Sequence, residues 1–224
     1  MKEQIRKIII NNGSDVCGIA NISRFDKVEK EYHPNTIWKD CKSIIVFGFA
    51  LPKGFYDISS RLIYGHFNDL SIQKVDDISL RSAKEVEKLG NIKTLPIPCD
   101  GPYEYWDKEN MVGHGLLSVK QTAVLAGIGS IGKNTLLINK KYGNRLTLGL
   151  MLIDYELESD ELSEELCIKT CQLCVKNCPV NAIYESKVNQ KKCRTNTYKK
   201  TERGFDTVEC YICRSVCPLR YGND

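Results

Sequence analysis

The sequence predicts an α/β domain over residues 1–158 and, over 159–224, a small module that a metal centre must hold together. Three observations predict it. Helical and strand periodicities alternate up to about residue 155, eight of the eleven cysteines fall between Cys167 and Cys217, and too few large apolar residues follow the boundary to build a conventional core. With 224 residues, 42% of them hydrophobic and 27% charged, the chain has room for one sizeable domain or two unequal ones.

The elements follow in order. Ile5, Ile8 and Ile9 share one face of a short N-terminal helix, and residues 16–20 suit a first strand. Residues 43–49 (Ser-Ile-Ile-Val-Phe-Gly-Phe) form an apolar, β-branched run that suits a strand buried on both faces. Leu62, Ile63, Leu70, Val75, Ile78, Val86 and Leu89 recur at spacings near three and four, which predicts a long helix with Gly90 as its stop. Residues 92–97 read as a strand closed by Pro96 and Pro98, residues 116–126 as a helix and residues 145–153 as a strand. Residues 154–165 carry seven acidic side chains and read as a solvated linker.

Charge and hydropathy exclude several classes. Lys plus Arg total 32 against 28 Asp plus Glu, and this excess of +4 does not by itself imply nucleic-acid binding. The longest apolar run, residues 44–51, is far short of the roughly 20 residues a membrane helix needs. The charged start, Met1-Lys2-Glu3-Gln4-Ile5-Arg6-Lys7, lacks the apolar stretch of a signal peptide, so a soluble, cytoplasmic chain without membrane contact is expected.

In a reducing compartment a dense cysteine cluster reads as metal ligation. The run is Cys167-x3-Cys171-x2-Cys174-x3-Cys178-Pro179, then Cys193, then Cys210-x2-Cys213-x3-Cys217-Pro218. Two copies of C-x2-C-x3-C-P are the signature of a ferredoxin-like module with two 4Fe–4S clusters. Short spacings wrap a loop around three corners of a cube, and Pro ends the loop where a following helix needs no N–H. Since the Cys before each Pro ligates the other cluster, Cys167, Cys171, Cys174 and Cys217 are assigned to one cluster, and Cys178, Cys193, Cys210 and Cys213 to the second. One residue more than usual separates Cys167 from Cys171. The alternative, two zinc sites from Cys171/Cys174 and Cys210/Cys213, leaves both Cys-Pro steps and Cys193 without a role. Cys17, Cys41 and Cys99 read as small buried hydrophobes.

Gly127-Ile128-Gly129-Ser130-Ile131-Gly132-Lys133-Asn134 matches a dinucleotide fingerprint and a P-loop by letter. Both need a preceding strand, whereas residues 118–126 read as a helix, and Asn134 replaces the Ser or Thr that would hold magnesium. What remains is a cofactor-binding loop at Gly127, Gly129, Gly132, Lys133 and Asn134, whose glycines allow close approach to something flat or anionic, or else a helix-to-loop turn.

This loop, together with Gly115-Leu116-Leu117-Ser118-Val119-Lys120, Thr135-Leu136-Leu137-Ile138, Tyr142-Gly143-Asn144-Arg145 and the cysteine tail, resembles the epoxyqueuosine reductase family. Cys17-Gly18-Ile19-Ala20, Lys42-Ser43-Ile44-Ile45-Val46-Phe47-Gly48 and Pro96-Ile97-Pro98 extend the likeness. The resemblance implies an N-terminal domain related to nitroreductase-like and reductive-dehalogenase corrinoid domains. It also implies a cobalamin between that domain and the clusters, an external donor of flavodoxin or ferredoxin type, and the epoxide of epoxyqueuosine in tRNA as substrate. The chain ends at Asp224, soon after the last cysteine loop, as in a shorter branch without the helical-repeat extension. The family's catalytic acid falls on Asp100, although Asp100-Gly101-Pro102 is also a favoured turn and the distance from Asp100 to Gly127 is longer than the family leads one to expect.

Tyr64, His66, Tyr103, Tyr105 and Trp106 are candidates for a pocket over a flat macrocycle, and His114 for a lower-face metal contact; core or rim packing is the other reading for each. Residues 187–203 carry seven basic side chains, suited to tRNA phosphates, to an acidic donor or simply to solvent. Two further readings of the whole chain stay open: a corrin-free electron-transfer or activator protein serving a partner enzyme, and a flavin in place of the corrin.

Overall fold

The computed structural model describes residues 1–101, 103–208 and 210–222, so Pro102 of the expected Asp100-Gly101-Pro102 turn lies outside the described residues. The predicted elements form in order: α1 (Lys2–Asn11), β1 (Val16–Asn21), β2 (Ser43–Ala50), α2 (Arg61–Glu87), β3 (Thr94–Ile97), α3 (Val119–Leu125) and β4 (Leu146–Ile153). The four strands make one sheet in the order β1-β2-β4-β3, and every pairing is antiparallel.

The run of β-branched residues in β2 is explained by burial on both faces. Ile44 and Val46 join Leu148, Leu150 and Ala123 of α3 in one core. Ile45 and Phe47, pointing the other way, join Ile5 and Ile9 of α1 and Val75 and Ile78 of α2 in a second. Alternation by one residue thus assigns each side chain to a core, and a slip of one position would exchange all of them.

Two features depart from expectation. α2 ends at Glu87, ahead of Gly90, with Lys88 as its cap in a right-handed conformation. Its first turns also bury a different stripe: Leu62, Ile63 and Leu70 are exposed, while Tyr64, Gly65 and Ser71 face inward. The reason lies at Gly65, where a Cβ would come within 2.6 Å of the Val208 carbonyl oxygen, so the hairpin of Tyr198–Lys200 and Asp206–Val208 rests directly on the helix backbone.

The acidic run is no free linker. Asp160 N–H donates to Ile19 O at 2.8 Å, and its carboxylate receives Ile19 N–H and both Lys2 and Arg6. Asn21 N–H donates to Ser159 Oγ at 2.8 Å, so this segment lies along the outer edge of β1. No helix among the described residues is long and apolar enough to cross a membrane.

Candidate functional site

The eight predicted ligands gather as two groups of four. Cys167, Cys171, Cys174 and Cys217 line one small cavity, together with Gly132, Lys133 and Asn134. Cys178, Cys193, Cys210 and Cys213 line the wall of a second cavity of about 1030 Å³. The short helices α4 (Leu173–Lys176) and α6 (Ile212–Ser215) each start beside a C-x2-C pair and stop before its Cys-Pro step. Between them α5 (Gln190–Thr197) carries Cys193. None of the eleven cysteines is in a disulfide.

The thiols weigh on one another. Burial pushes Cys213 up to about 11, with Arg214 opposing and Cys210 and Cys193 reinforcing. Burial likewise raises Cys174 and Cys217, each also raised by its groupmates. Crowded thiols of this kind ionise together only when a cationic centre is present to accept them. Cys178 Sγ already accepts a backbone N–H, from Ala182 at 3.2 Å. Cys17 and Cys41 are buried, as expected, and burial pushes Cys17 up to about 12. Half-buried Cys99 donates to Leu148 O at 3.0 Å.

The glycine loop makes its close approaches to the protein itself. A Cβ at Gly127, whose φ is +74°, would meet the Glu161 carbonyl oxygen at 2.0 Å, and one at Gly129 would meet Ile138 O at 2.1 Å. Neither glycine lines the large cavity, so the flat or anionic partner expected of them is replaced by the chain's own backbone. Gly132, Lys133 and Asn134 serve the cysteine loops instead. Lys133 Nζ donates to Ile168 O at 3.2 Å and to Cys171 O at 2.7 Å, while Asn134 Nδ2 donates to Cys213 O at 3.0 Å.

Asp100 lies on the large cavity with its side chain exposed, not in the dry site expected for it. Tyr103 Oη sits 3.5 Å from Asp100 Oδ1 and receives Arg194 Nη2 at 3.3 Å. Tyr64 and His114 also line this cavity; His66 instead meets Phe67 edge-on, and Tyr105 and Trp106 lie outside the lining.

Sequence reasoning missed three cations here. Arg194, read only as one of a basic run suited to tRNA phosphates, an acidic donor or solvent, stacks its guanidinium on Tyr103, Trp106 and Tyr198 at 5.2, 5.0 and 5.9 Å from the ring centroids. The remaining basic residues of that run are exposed. Lys120 reaches into the cavity and donates to Thr135 O at 2.9 Å, and desolvation followed by Arg214 lowers its pKa. Arg214 donates to Asn144 O, with Tyr64, Tyr56 and Cys213 as its charged and polar neighbours. Its one sequence signal was its place between two predicted ligands, Cys213 and Cys217.

No family model matches the chain. An epoxyqueuosine reductase of Listeria monocytogenes is 28% identical over 218 residues, covering 88% of this chain and 53% of that protein. The chain therefore spans about half the length of the curated relatives it matches. A solved epoxyqueuosine reductase from Streptococcus thermophilus superposes with a TM-score of 0.71 at 23% identity, over all of this chain and 67% of that one. A catabolic reductive dehalogenase gives 0.73 at 16% identity over 97% of this chain and 32% of its own. In sequence over most of its length, and in its mixed α/β fold throughout, this chain is similar to the epoxyqueuosine reductases.

Proposed function

We propose that this chain is an iron–sulfur oxidoreductase of the epoxyqueuosine-reductase type, with two 4Fe–4S clusters in residues 159–224 and a cobalamin in the large cavity. One observation carries the reading: four thiols line each of two cavities, and the second set shares its wall with Asp100 in a space at the upper end of ligand pockets, which run to about 1,000 Å³. The donor set fits, since all-cysteine quartets in C-x2-C spacing are what cubane clusters take. The cavity lining suits it too, since it includes Gly115, Leu116, Leu117, Val119, Leu146 and Leu148. When bound, the clusters would carry single electrons and the corrin would supply a reducing metal able to open an electrophilic carbon–oxygen bond.

The protein's own part is positional. Asp100 holds a carboxyl at the cavity where a proton must be given to the opened oxygen, and Tyr103 stands between it and Arg194. Arg194, stacked on three rings, keeps that wall in one arrangement. The exposed lysines Lys187, Lys191, Lys192, Lys199 and Lys200 offer phosphate contacts to a tRNA. An epoxyqueuosine reductase of this fold was solved with an epoxyqueuosine-modified tRNA stem loop, and a reductive dehalogenase structure suggested a mechanism for B12-dependent dehalogenation, which supports both the substrate and the cofactor. The electron donor is a one-electron carrier of flavodoxin or ferredoxin type.

The test is anaerobic purification with hydroxocobalamin, followed by turnover of epoxyqueuosine-containing tRNA with a competent reductant. Corrin bands that co-elute with the cluster absorbance, together with loss of the epoxide, are expected. Corrin that washes away from an iron-loaded chain would replace this reading with that of an electron-transfer protein serving a partner.

A further inference from the structure

The wall beside Asp100 has little core of its own. Tyr105–Asp107 and Val112–His114 pair as a hairpin of two three-residue strands, and neither strand buries a residue. A two-stranded hairpin this short does not hold its place in water alone, so its position depends on what it rests against. Its main support is α5. Arg194 lies over the rings of Tyr103 and Trp106, which stack on each other at 5.8 Å, and its Nη2 donates to Tyr103 Oη at 3.3 Å. Two longer contacts join the same elements: Gly113 N–H to Gln190 Oε1 at 3.5 Å, and Thr195 Oγ1 to Met111 Sδ at 3.7 Å. A guanidinium can lie flat on rings and still donate from its edge, which an ammonium cannot do.

α5 is itself weakly held. Its residues, Gln-Lys-Lys-Cys-Arg-Thr-Asn-Thr, include no large apolar side chain, and none of the eight is buried. Asn189 ties its start, accepting Lys192 N–H at its side chain and donating its own N–H to Ala182 O at 2.8 Å. In the body of the helix Cys193 lines the cavity with Cys178, Cys210 and Cys213. Arg194, about 100° further round the helix, meets the hairpin. A centre that takes Cys193 therefore anchors the helix that carries Arg194, and metal ligation is strong enough to order a segment that burial does not.

We propose that α5 couples the second metal centre to the cavity wall: occupation of Cys178, Cys193, Cys210 and Cys213 fixes Arg194, and Arg194 holds Tyr103 and, through it, Asp100 in place. This rests on the two-cluster reading above. Arg194 is a positioning residue, acting on Asp100 through Tyr103. A chain without the second centre keeps its sheet but has a loosened wall at the cavity. Such coupling is reciprocal, so the ring stack in turn helps to retain metal at Cys193.

The experiment is hydrogen exchange read by mass spectrometry over residues 103–114 of the anaerobically purified full chain. Iron-loaded Arg194→Gln should exchange this segment about tenfold faster than wild type. Arg194→Lys keeps the charge without the plane and should not restore protection. Cys193→Ser should loosen the same segment, whereas Cys171→Ser, which disables the first centre, should leave it as in wild type. Arg194→Gln should also release iron to a chelator faster than wild type, and in turnover it should lower kcat more than it changes KM. Wild-type protection in loaded Arg194→Gln or in Cys193→Ser, equal loosening in Cys193→Ser and Cys171→Ser, or kcat untouched by the loosening would overturn the proposal. If Arg194→Gln does not load, the two cysteine variants decide. A wild type that holds no iron would instead sink the two-cluster reading, and this proposal with it.

Discussion

Lys133 Nζ lies 2.7 Å from the carbonyl oxygen of Cys171, so the glycine loop of the α/β domain closes directly onto the first cysteine loop. Sequence separation between the two is 38 residues, and the contact ties the glycine loop to a segment with little core of its own. Lys133→Met keeps the aliphatic stem and removes the donors. It should cost about 1–3 kcal/mol of stability, since the carbonyls it served lose a charged donor. Iron retention against a chelator should fall at one of the two centres only; unchanged retention at both would deny Lys133 this role.

Asp160 makes a related prediction on the other side of the sheet. Burial opposes its ionisation, but hydrogen bonds and charge from Lys2 and Arg6 win, holding the carboxyl below the usual carboxylate range. A depressed pKa stabilises the fold above the unfolded-state value of about 3.9 and ceases to do so as pH falls through the folded value. Asp160→Asn should therefore lower the melting temperature at pH 7, by about 2–4 °C per kcal/mol for a chain of this size. Its stability curve should run flatter than wild type below about pH 4. Parallel curves there would show that Asp160 contributes nothing by its charge.

Gly127 tests the reading of the loop as architecture. Alanine there must adopt φ +74° and push its Cβ to 2.0 Å from Glu161 O, a backbone atom with no flexible end to swing aside. About 3 kcal/mol or more should be lost, far beyond a surface change. Gly90→Ala, where nothing lies within 4 Å, is the control and should stay within about 0.5 kcal/mol. Equal melting of the two variants would contradict the contact.

Asp100→Asn removes the carboxyl from the cavity with little change of shape. Turnover should fall by about 10²–10⁴-fold, the usual contribution of a general acid, while iron content and corrin retention stay at wild-type levels. Full activity in this variant would assign Asp100 to the turn alone.

Much of the fold was legible from local pattern. The β-branched run at residues 43–49 and the helical spacing of Val75, Ile78 and Val86 each encode burial, and burial is what the structure gives them. Strand direction was not legible. Helices on both faces make an antiparallel strand such as β2 as continuously apolar as a parallel one. The grouping of the eight cysteines could be read because ligand spacing is local and the Cys-Pro exchange is a geometric rule. The partners of Gly127 and Gly129 could not, since a glycine that admits a cofactor and one that admits a neighbouring carbonyl look alike in one dimension. Arg214 and Lys120 were hidden for a similar reason: they lie 94 positions apart, and only the tertiary fold brings both to Cys213. Asp160 disappeared into a charge run whose other members the structure leaves mostly exposed.

The central claim is that two cubane centres occupy the paired cysteine groups, and metal analysis of anaerobically purified protein tests it most directly. The account predicts about eight iron and about eight acid-labile sulfide per chain, falling by about half in Cys193→Ser and holding in Cys99→Ser. Stoichiometric zinc with no sulfide, or a colourless chain that keeps its fold, would contradict it.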